Sequence, residues 1–275
     1  MELFKLDRSR CVKCGSCVRD CFFGALGMDD DGWPAIKHQE KCMHCQHCFA
    51  ICPKGAVEFD GRRPEDSVQV QGLALPTSEE VGNFLRVRRS VRRFQDRDVD
   101  RGVLERILAA LGNTPTGCNA RSLTFTCIPS RAAMDAFRRD FLSAIESHRE
   151  GSKLLPRWLA VPAIRMRRGE SDMFFRGATG MLIVSSDETN PEVTTPNEDV
   201  VIALSEFEML AAANGIATCW CGFLRLVQKE VPELLVAPLG FRPTTPFYAM
   251  LFGYPAVKYV RGVQREHEAR IVWRE

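Results

Sequence analysis

The stretch Cys11-Val12-Lys13-Cys14-Gly15-Ser16-Cys17-Val18-Arg19-Asp20-Cys21 sets the reading of everything that follows it. Its spacing, C-x2-C-x2-C-x3-C, returns at Cys42, Cys45, Cys48 and Cys52, and Pro53 closes the second run. Thiolates spaced in this way are ligands of [4Fe–4S] clusters. Three of them two residues apart let a tight loop wrap one cube, and a fourth from farther along the chain closes the site. Paired C-x2-C units also bind zinc. Zinc takes four ligands per ion, however, and a three-then-one grouping that occurs twice suits it poorly. His44 and His47 stand between the ligands of the second run, where a full set of thiolates is already present, so they read as surface residues beside a cluster. Phe22 stands where the second run has Pro53.

Residues 1–60 form an internal repeat of about thirty residues: each cysteine run is followed by Gly24-Ala25-Leu26 or Gly55-Ala56-Val57. Short strands are expected over 3–6, 35–38 and 57–59. A stretch of this size cannot bury a large apolar core, and small domains of the kind need a metal staple; the clusters would be the core. The paired runs resemble the ligand pattern of two-cluster bacterial-type ferredoxins, in which each run gives three thiolates to one cube and its fourth to the other. On that resemblance Cys11, Cys14, Cys17 and Cys52 hold the first cluster, and Cys42, Cys45, Cys48 and Cys21 hold the second.

The whole chain, at 275 residues, has room for one large or two ordinary domains. Hydrophobic residues make up 45% and charged residues 26%, a globular rather than a disordered profile. A net charge of +2 gives no general attraction to nucleic acid or to an anionic membrane. No uninterrupted apolar stretch reaches the roughly 18 residues that span a bilayer, and MELFKLDRSR lacks the apolar core of a signal peptide. Thiolate-bound iron points to a reducing compartment, so the expected location is the cytoplasm.

The sequence divides into a cluster domain over 1–60, a linker over 61–77 rich in Gly and Pro, and a second domain over 78–275. A short strand is expected within the linker at 67–71. A helix begins at Thr77 or Ser78, with Ser78 as the N-cap, Glu79 and Glu80 in its first turn, and Val81, Phe84 and Leu85 as its buried face. A second helix starts at the Asp100 cap, with Leu104, Ile107, Leu108 and Leu111 on one face. Residues 123–129 alternate like a strand, 131–150 are helical, and 151–176 read as irregular. Residues 180–186 make a buried strand, 200–214 an amphipathic helix, and 216–223 and 246–253 two more strands. Helix and strand signals interleave, so the fold class is α+β, a sandwich of helices around a central sheet.

Residues 86–93 hold five arginines, and Val87, Val91 and Phe94 alternate with them, so part of the segment is buried. Buried guanidinium groups need an anionic partner, and the guanidinium fork matches phosphate oxygens in a bidentate way. Arg88-Arg89-Ser90-Val91-Arg92 resembles the R-R-S-x-R motif of the FMN-dependent nitroreductase family. Thr116-Gly117-Cys118-Asn119 resembles its T/S-x-x-N flavin loop, and Asn214-Gly215-Ile216-Ala217-Thr218-Cys219-Trp220 its G-L-G-T-C-W strand. Gly253-Tyr254-Pro255, followed by Lys258, Tyr259, Arg261 and Arg265, resembles its C-terminal G-Y-P segment and basic tail. The four matches occur in family order, and with the cysteine runs the chain is similar to ferredoxin-fused nitroreductases.

The resemblance implies an FMN-binding homodimer with the flavin at the subunit interface. Arg88 and Arg89 would reach the FMN phosphate, and Ser90 and Arg92 the ribityl chain and pyrimidine edge. A cation at that edge raises the flavin potential, which is the protein's share of cofactor chemistry. Asn119 would bond the ring edge, the stretch Thr218, Cys219, Trp220 and Gly222 would face the ring, and Arg265 with Arg261 would complete the phosphate site. Where many family members carry Gln-Pro-Trp after the flavin-loop Asn, this chain has Arg121-Ser122-Leu123, so substrate does not carry over. Cys118, Cys127, Cys219 and Cys221 read as small packing residues. Arg165, Arg167 and Arg168 raise the thought of an anionic substrate but read first as a solvated loop. None of Glu206, Glu208, Tyr248 and Tyr254 stands out as a catalytic acid.

The function this implies is an FMN-dependent oxidoreductase fed through two [4Fe–4S] clusters by an external donor, either a ferredoxin-like protein or NAD(P)H, and reducing a small nitro, quinone or activated-alkene compound. Two rival readings stay open. One is an NAD(P)H-dependent FMN nitroreductase with an accessory ferredoxin domain; no G-x-G-x-x-G after a strand marks a separate dinucleotide site. The other is an electron carrier without its own substrate. Neither a nucleic-acid nor a membrane partner is expected.

Overall fold

Two compact units, Met1–Pro76 and Thr77–Glu275, make up the chain; the computed structural model describes residues 2–151, 155–187, 189–265 and 268–274. In the first unit four three-residue strands, β1 (Phe4–Leu6), β2 (Leu26–Met28), β3 (Pro34–Ile36) and β4 (Val57–Phe59), form two antiparallel pairs, β1 with β4 and β2 with β3. Two single-turn helices, α1 (Ser16–Arg19) and α2 (His47–Ala50), follow the cysteine loops. Lys13 (φ 53°) and Gly15 (φ 71°) in the first loop match His44 (φ 54°) and Gln46 (φ 62°) in the second. Three of those four are not glycine, so both runs hold the same left-handed turns where the side chain disfavours them. The small core is Phe4, Leu26, Val57 and Phe59 with Cys17 and Cys48. Residues 67–71, expected as a strand, are not one: Val68 and Val70 are exposed, and the Val70 carbonyl accepts from Leu73 N–H in a turn.

The second unit opens with α3 (Ser78–Val87). Thr77, not Ser78, is its cap: Thr77 Oγ1 accepts from Glu80 N–H at 3.2 Å while Thr77 N–H donates to Glu80 Oε2 at 2.7 Å, a reciprocal capping box. The expected buried face of α3 is not buried. Val81 and Leu85 are exposed, Phe84 is half-buried and Val87 is 57% exposed; the cover α3 receives lies at its C-terminal end, where the backbone of Arg86 meets Gly262. Helix α4 (Arg101–Ala110) starts as its sequence indicates, with Asp100 Oδ1 accepting from Val103 N–H. There follow β5 (Leu123–Ile128), α5 (Arg131–Glu150), α6 (Arg157–Arg167), β6 (Gly180–Ser186), α7 (Pro196–Ala213), β7 (Ala217–Trp220), α8 (Gly222–Glu230), α9 (Val236–Leu239) and β8 (Phe247–Gly253).

Two expectations fail here. Helix α6 lies in the stretch read as irregular, because Pro162 and the arginines hide its buried stripe of Leu159, Pro162 and Ala163. The strand read over 216–223 ends at Trp220, and Phe223 belongs to α8, whose Leu224 and Val227 are buried.

The four strands order as β5-β6-β8-β7, all antiparallel. Strand β6 is buried throughout. Met181 and Ile183 face a core made with α5, α6 and α8, while Leu182 and Val184 face one made with α4 and α7, as a period of two requires. The result is a helix–sheet–helix sandwich. Gly180 is needed for it, since a Cβ there would overlap the Phe252 ring. Among the described residues no helix is long and apolar enough to cross a membrane.

Candidate functional site

Cys11, Cys14, Cys17 and Cys52 line one cavity, walled by Leu6, Pro34 and Val57. Cys21 and Cys42 pack with Cys48 against the same small core. All twelve cysteines are free of disulfides. Backbone N–H groups already point at sulfur: Lys13 N–H donates to Cys11 Sγ at 3.4 Å and Ala56 N–H to Cys52 Sγ at 3.2 Å. Among the described residues no three His, Cys, Asp or Glu side chains close on one point as a single ion would require. A cube instead takes its thiolates around a void, and the cavity offers one. Burial pushes the Cys48 thiol up to about 12, and the neighbouring Cys45, Cys17 and Cys42 add to it. Thiols so placed keep their protons unless a metal takes their place. His44 stacks edge-on to Phe59, and exposed His47 approaches Asp20 at 3.2 Å, so both histidines are engaged outside the sulfur set.

In the second unit the arginine segment docks onto the edge of β7. Ser90 forms a parallel bridge with Thr218, and Val91 N–H donates to Thr218 O at 2.8 Å. Val91 is buried, Arg88, Arg89 and Ser90 are half-buried, and Arg92 is exposed. Arg88 Nη1 lies 3.2 Å from Glu208 Oε1, and Thr218 Oγ1 donates to the same oxygen at 3.1 Å. Glu208 is thus a buried carboxylate joining the arginine segment, β7 and α7. One Arg88 donor is used this way, and a guanidinium has five. Arg89 has no carboxylate partner among the described residues, though it is half withdrawn from water.

A loop over 116–121 carries Asn119. Cys118, Asn119 and Arg121 all have positive φ, near 50°, which only a strongly braced loop sustains. The brace is Asp199, itself buried: its Oδ1 accepts from Gly117 N–H at 3.0 Å and from Thr195 Oγ1 at 2.9 Å, while Oδ2 is buried without a partner. Asp199 and Glu208 are nine residues apart on α7, about 13 Å along its axis. Asn119 and Arg88 therefore sit at separate stations on that helix. The chain after β8 returns along the arginine segment: Gln95 N–H donates to Tyr254 O, Ala256 N–H to Arg93 O, and Val263 N–H to Arg86 O. This brings Arg261 to the end of α3, whereas Arg265 lies farther out, exposed and 3.9 Å from Glu268.

At the far end of β7, burial raises the Cys219 thiol, and the charges of Arg92 and Arg176 act against that rise. Trp220 packs on Tyr248 with ring centroids 5.0 Å apart, and Gly222 opens α8. Tyr254 lies under the Arg97 guanidinium at 4.3 Å. Arg167, the last residue of α6, pairs with Glu146, and Arg168, just beyond it, approaches Glu170. Sequence reasoning missed Asp199 and Arg176, and it weighed Glu208 only as a catalytic acid, not as the partner of Arg88. The signal for Glu208 was an acid on the buried stripe of α7, between Leu204 and Ala211.

Residues 85–254, more than half of the chain, match the nitroreductase family model. The chain belongs to the nitroreductase family. It is an oxidoreductase, with a 4Fe-4S dicluster domain matched over residues 10–56 on its N-terminal side. A nitroreductase with bound FMN from Bacteroides fragilis has TM-score 0.52 and 21% identity, covering 70% of this chain and 99% of that one. Another with bound FMN from Desulfitobacterium hafniense has TM-score 0.50 and 21% identity, covering 69% and 96%. These share the fold of the second unit. The first unit is similar to part of an archaeal-type glutamate synthase [NADPH] of Thermotoga maritima, 37% identical over 51 residues. It is also similar to a ferredoxin of Pyrobaculum islandicum, 36% identical over 56 residues. The chain spans 10% of that synthase and 51% of that ferredoxin.

Proposed function

We propose that this nitroreductase-family oxidoreductase binds FMN and receives its electrons through two [4Fe–4S] clusters of its own N-terminal domain, reducing a small nitro, quinone or activated-alkene compound. The observation that carries the reading is the pairing, in one chain, of a four-cysteine cavity with a nitroreductase fold whose half-buried Arg89 has no carboxylate partner among the described residues. Arg89 and the unused donors of Arg88 suit a phosphate. Ser90 and Thr218, fixed to each other by the edge bridge, suit the polar chain of the cofactor, and Arg92 suits the electron-rich edge of its ring. Flavin, when bound, supplies the means to turn single-electron arrivals into a two-electron delivery. On the iron side, Cys11, Cys14, Cys17 and Cys52 suit one cube, and Cys42, Cys45, Cys48 and Cys21 the other.

The assembly is a homodimer in this reading. Helix α3 is amphipathic, yet Val81, Leu85 and Val87 face outward, as do Tyr259, Val260 and Trp273 of the tail. An apolar stripe without cover within its own unit suits a second copy. Stopped-flow mixing of the oxidised holoprotein with reduced ferredoxin, and separately with NADH and NADPH, tests the electron route. Fast flavin bleaching by ferredoxin and slow bleaching by the nucleotides is expected. The reverse order would make the clusters accessory to a nicotinamide-fed flavin.

A further inference from the structure

We infer that Arg176 is a docking point for a negatively charged group on the substrate, so that the enzyme selects organic acids among reducible compounds; this rests on the flavin reading above. Residue 176 lies in a turn between α6 and β6. It has φ 55° and is followed by Gly177 at φ 65°. A left-handed position is one where glycine is favoured, yet a long cationic side chain is kept there and exposed. The turn is built around it. Asp172 Oδ1 accepts from Phe175 N–H at 2.8 Å and its Oδ2 from Gly177 N–H at 3.1 Å. Arg138, only 11% exposed, holds Asp172 Oδ2 at 2.9 Å and donates to Ala178 O at 2.8 Å. Arg131 donates to Gly177 O at 3.1 Å. Phe174 and Phe175 are anchored in the aromatic core with Phe137, Phe141 and Phe223.

That rigid turn abuts the end of β7, where Cys221 Sγ contacts Phe174 O at 3.9 Å. The positive charges of Arg176 and Arg92, from segments far apart in the chain, both act on the buried Cys219 thiol of the strand that the flavin motif occupies. Neither has a carboxylate partner among the described residues. The acids of the turn are otherwise committed, Asp172 to Arg138 and Glu170 facing Arg168. With Arg92 serving the ring edge, Arg176 is a second cation without a carboxylate partner among the described residues, placed by its turn to meet what binds next to that edge. A carboxylate on a small aromatic or enone compound matches the planar fork.

The test uses FMN-loaded holoprotein. Benzoate and benzamide are titrated against the oxidised flavin spectrum, and photoreduced enzyme is then mixed anaerobically with 4-nitrobenzoate or 4-nitrobenzamide. The expected result is a preference of about ten-fold for the acid in both readouts. Arg176→Gln should abolish it, Arg176→Lys should keep part of it, and FMN affinity and the rate with the amide should not change. Equal binding of acid and amide by the native protein, or a preference that survives Arg176→Gln, overturns the inference. Loss of FMN in Arg176→Gln also overturns it, making Arg176 a cofactor ligand. A purified protein that takes up no flavin instead overturns the reading beneath it, and that outcome appears before any probe is added.

Discussion

Removing either end of the Arg88–Glu208 pair should have unequal consequences, and the inequality follows from exposure. The Glu208 side chain is 9% exposed and the Arg88 side chain 32%, across an N···O distance of 3.2 Å. Arg88→Met keeps the volume but strands a buried carboxylate with Thr218 Oγ1 as its remaining partner, which should cost ~3 kcal/mol of stability. Glu208→Gln leaves an amide oxygen for Thr218 and an arginine that can turn toward water, so the loss should be ~1 kcal/mol. In Arg88→Met/Glu208→Gln no charge is stranded, and the double variant should lose only ~1–2 kcal/mol, a coupling of ~2–3 kcal/mol in the cycle. Urea unfolding at neutral pH, followed by far-ultraviolet circular dichroism on iron-loaded protein, reads all four corners. Because two units unfold, the transition assigned to the second must be separated from that of the first. Losses that simply add, or a Glu208→Gln variant as unstable as Arg88→Met, would refute the view that Glu208 is a committed buried charge held by Arg88.

Four further outcomes follow. Iodoacetamide at neutral pH should label Cys118 first in the holoprotein, because Cys118 is exposed while burial pushes Cys127 up to about 11 and Cys221 up to about 12; mass spectrometry should find this label gone in Cys118→Ser. Those two raised thiols stabilise the fold below about pH 9, their ordinary value, and lose that contribution as pH climbs through the folded values. The alkaline fall in unfolding midpoint should accordingly be shallower in Cys127→Ala than in the native protein. Gly117→Ala puts a Cβ into the side chains of Thr195, which donates to Asp199, and Thr194, which lies against Cys118, and a loss of ~2 kcal/mol is expected in the same urea assay; unchanged stability would mean that the threonines swing away freely. Leu85→Glu, on the open stripe of α3, should shift the protein from dimer to monomer in sedimentation while leaving its far-ultraviolet spectrum intact, and a dimer that persists would place the interface elsewhere.

What the chain discloses by itself depends on whether a feature is local. The cysteine runs are periodic, and the matching left-handed turns at Lys13 and His44 show that the backbone repeats with them. Asp100 as a cap and the buried strand over 180–186 are likewise set by residues adjacent in sequence. Helix α6 was hidden because a proline stands inside it, and a proline's local penalty says nothing of the tertiary cover that Leu159 and Ala163 receive. The open face of α3 was misread for the opposite reason: periodicity reports that a face is apolar but not what covers it. Arg176 shows the deepest limit. It adjoins no motif, and its importance comes from a turn fixed by Arg131 and Arg138, some forty residues earlier, and from a strand end some forty residues later. A charged side chain in a left-handed turn looks like any surface arginine in a row of letters; only the convergence of α5, the turn and β7 makes it one of two cations whose charge acts on the same thiol.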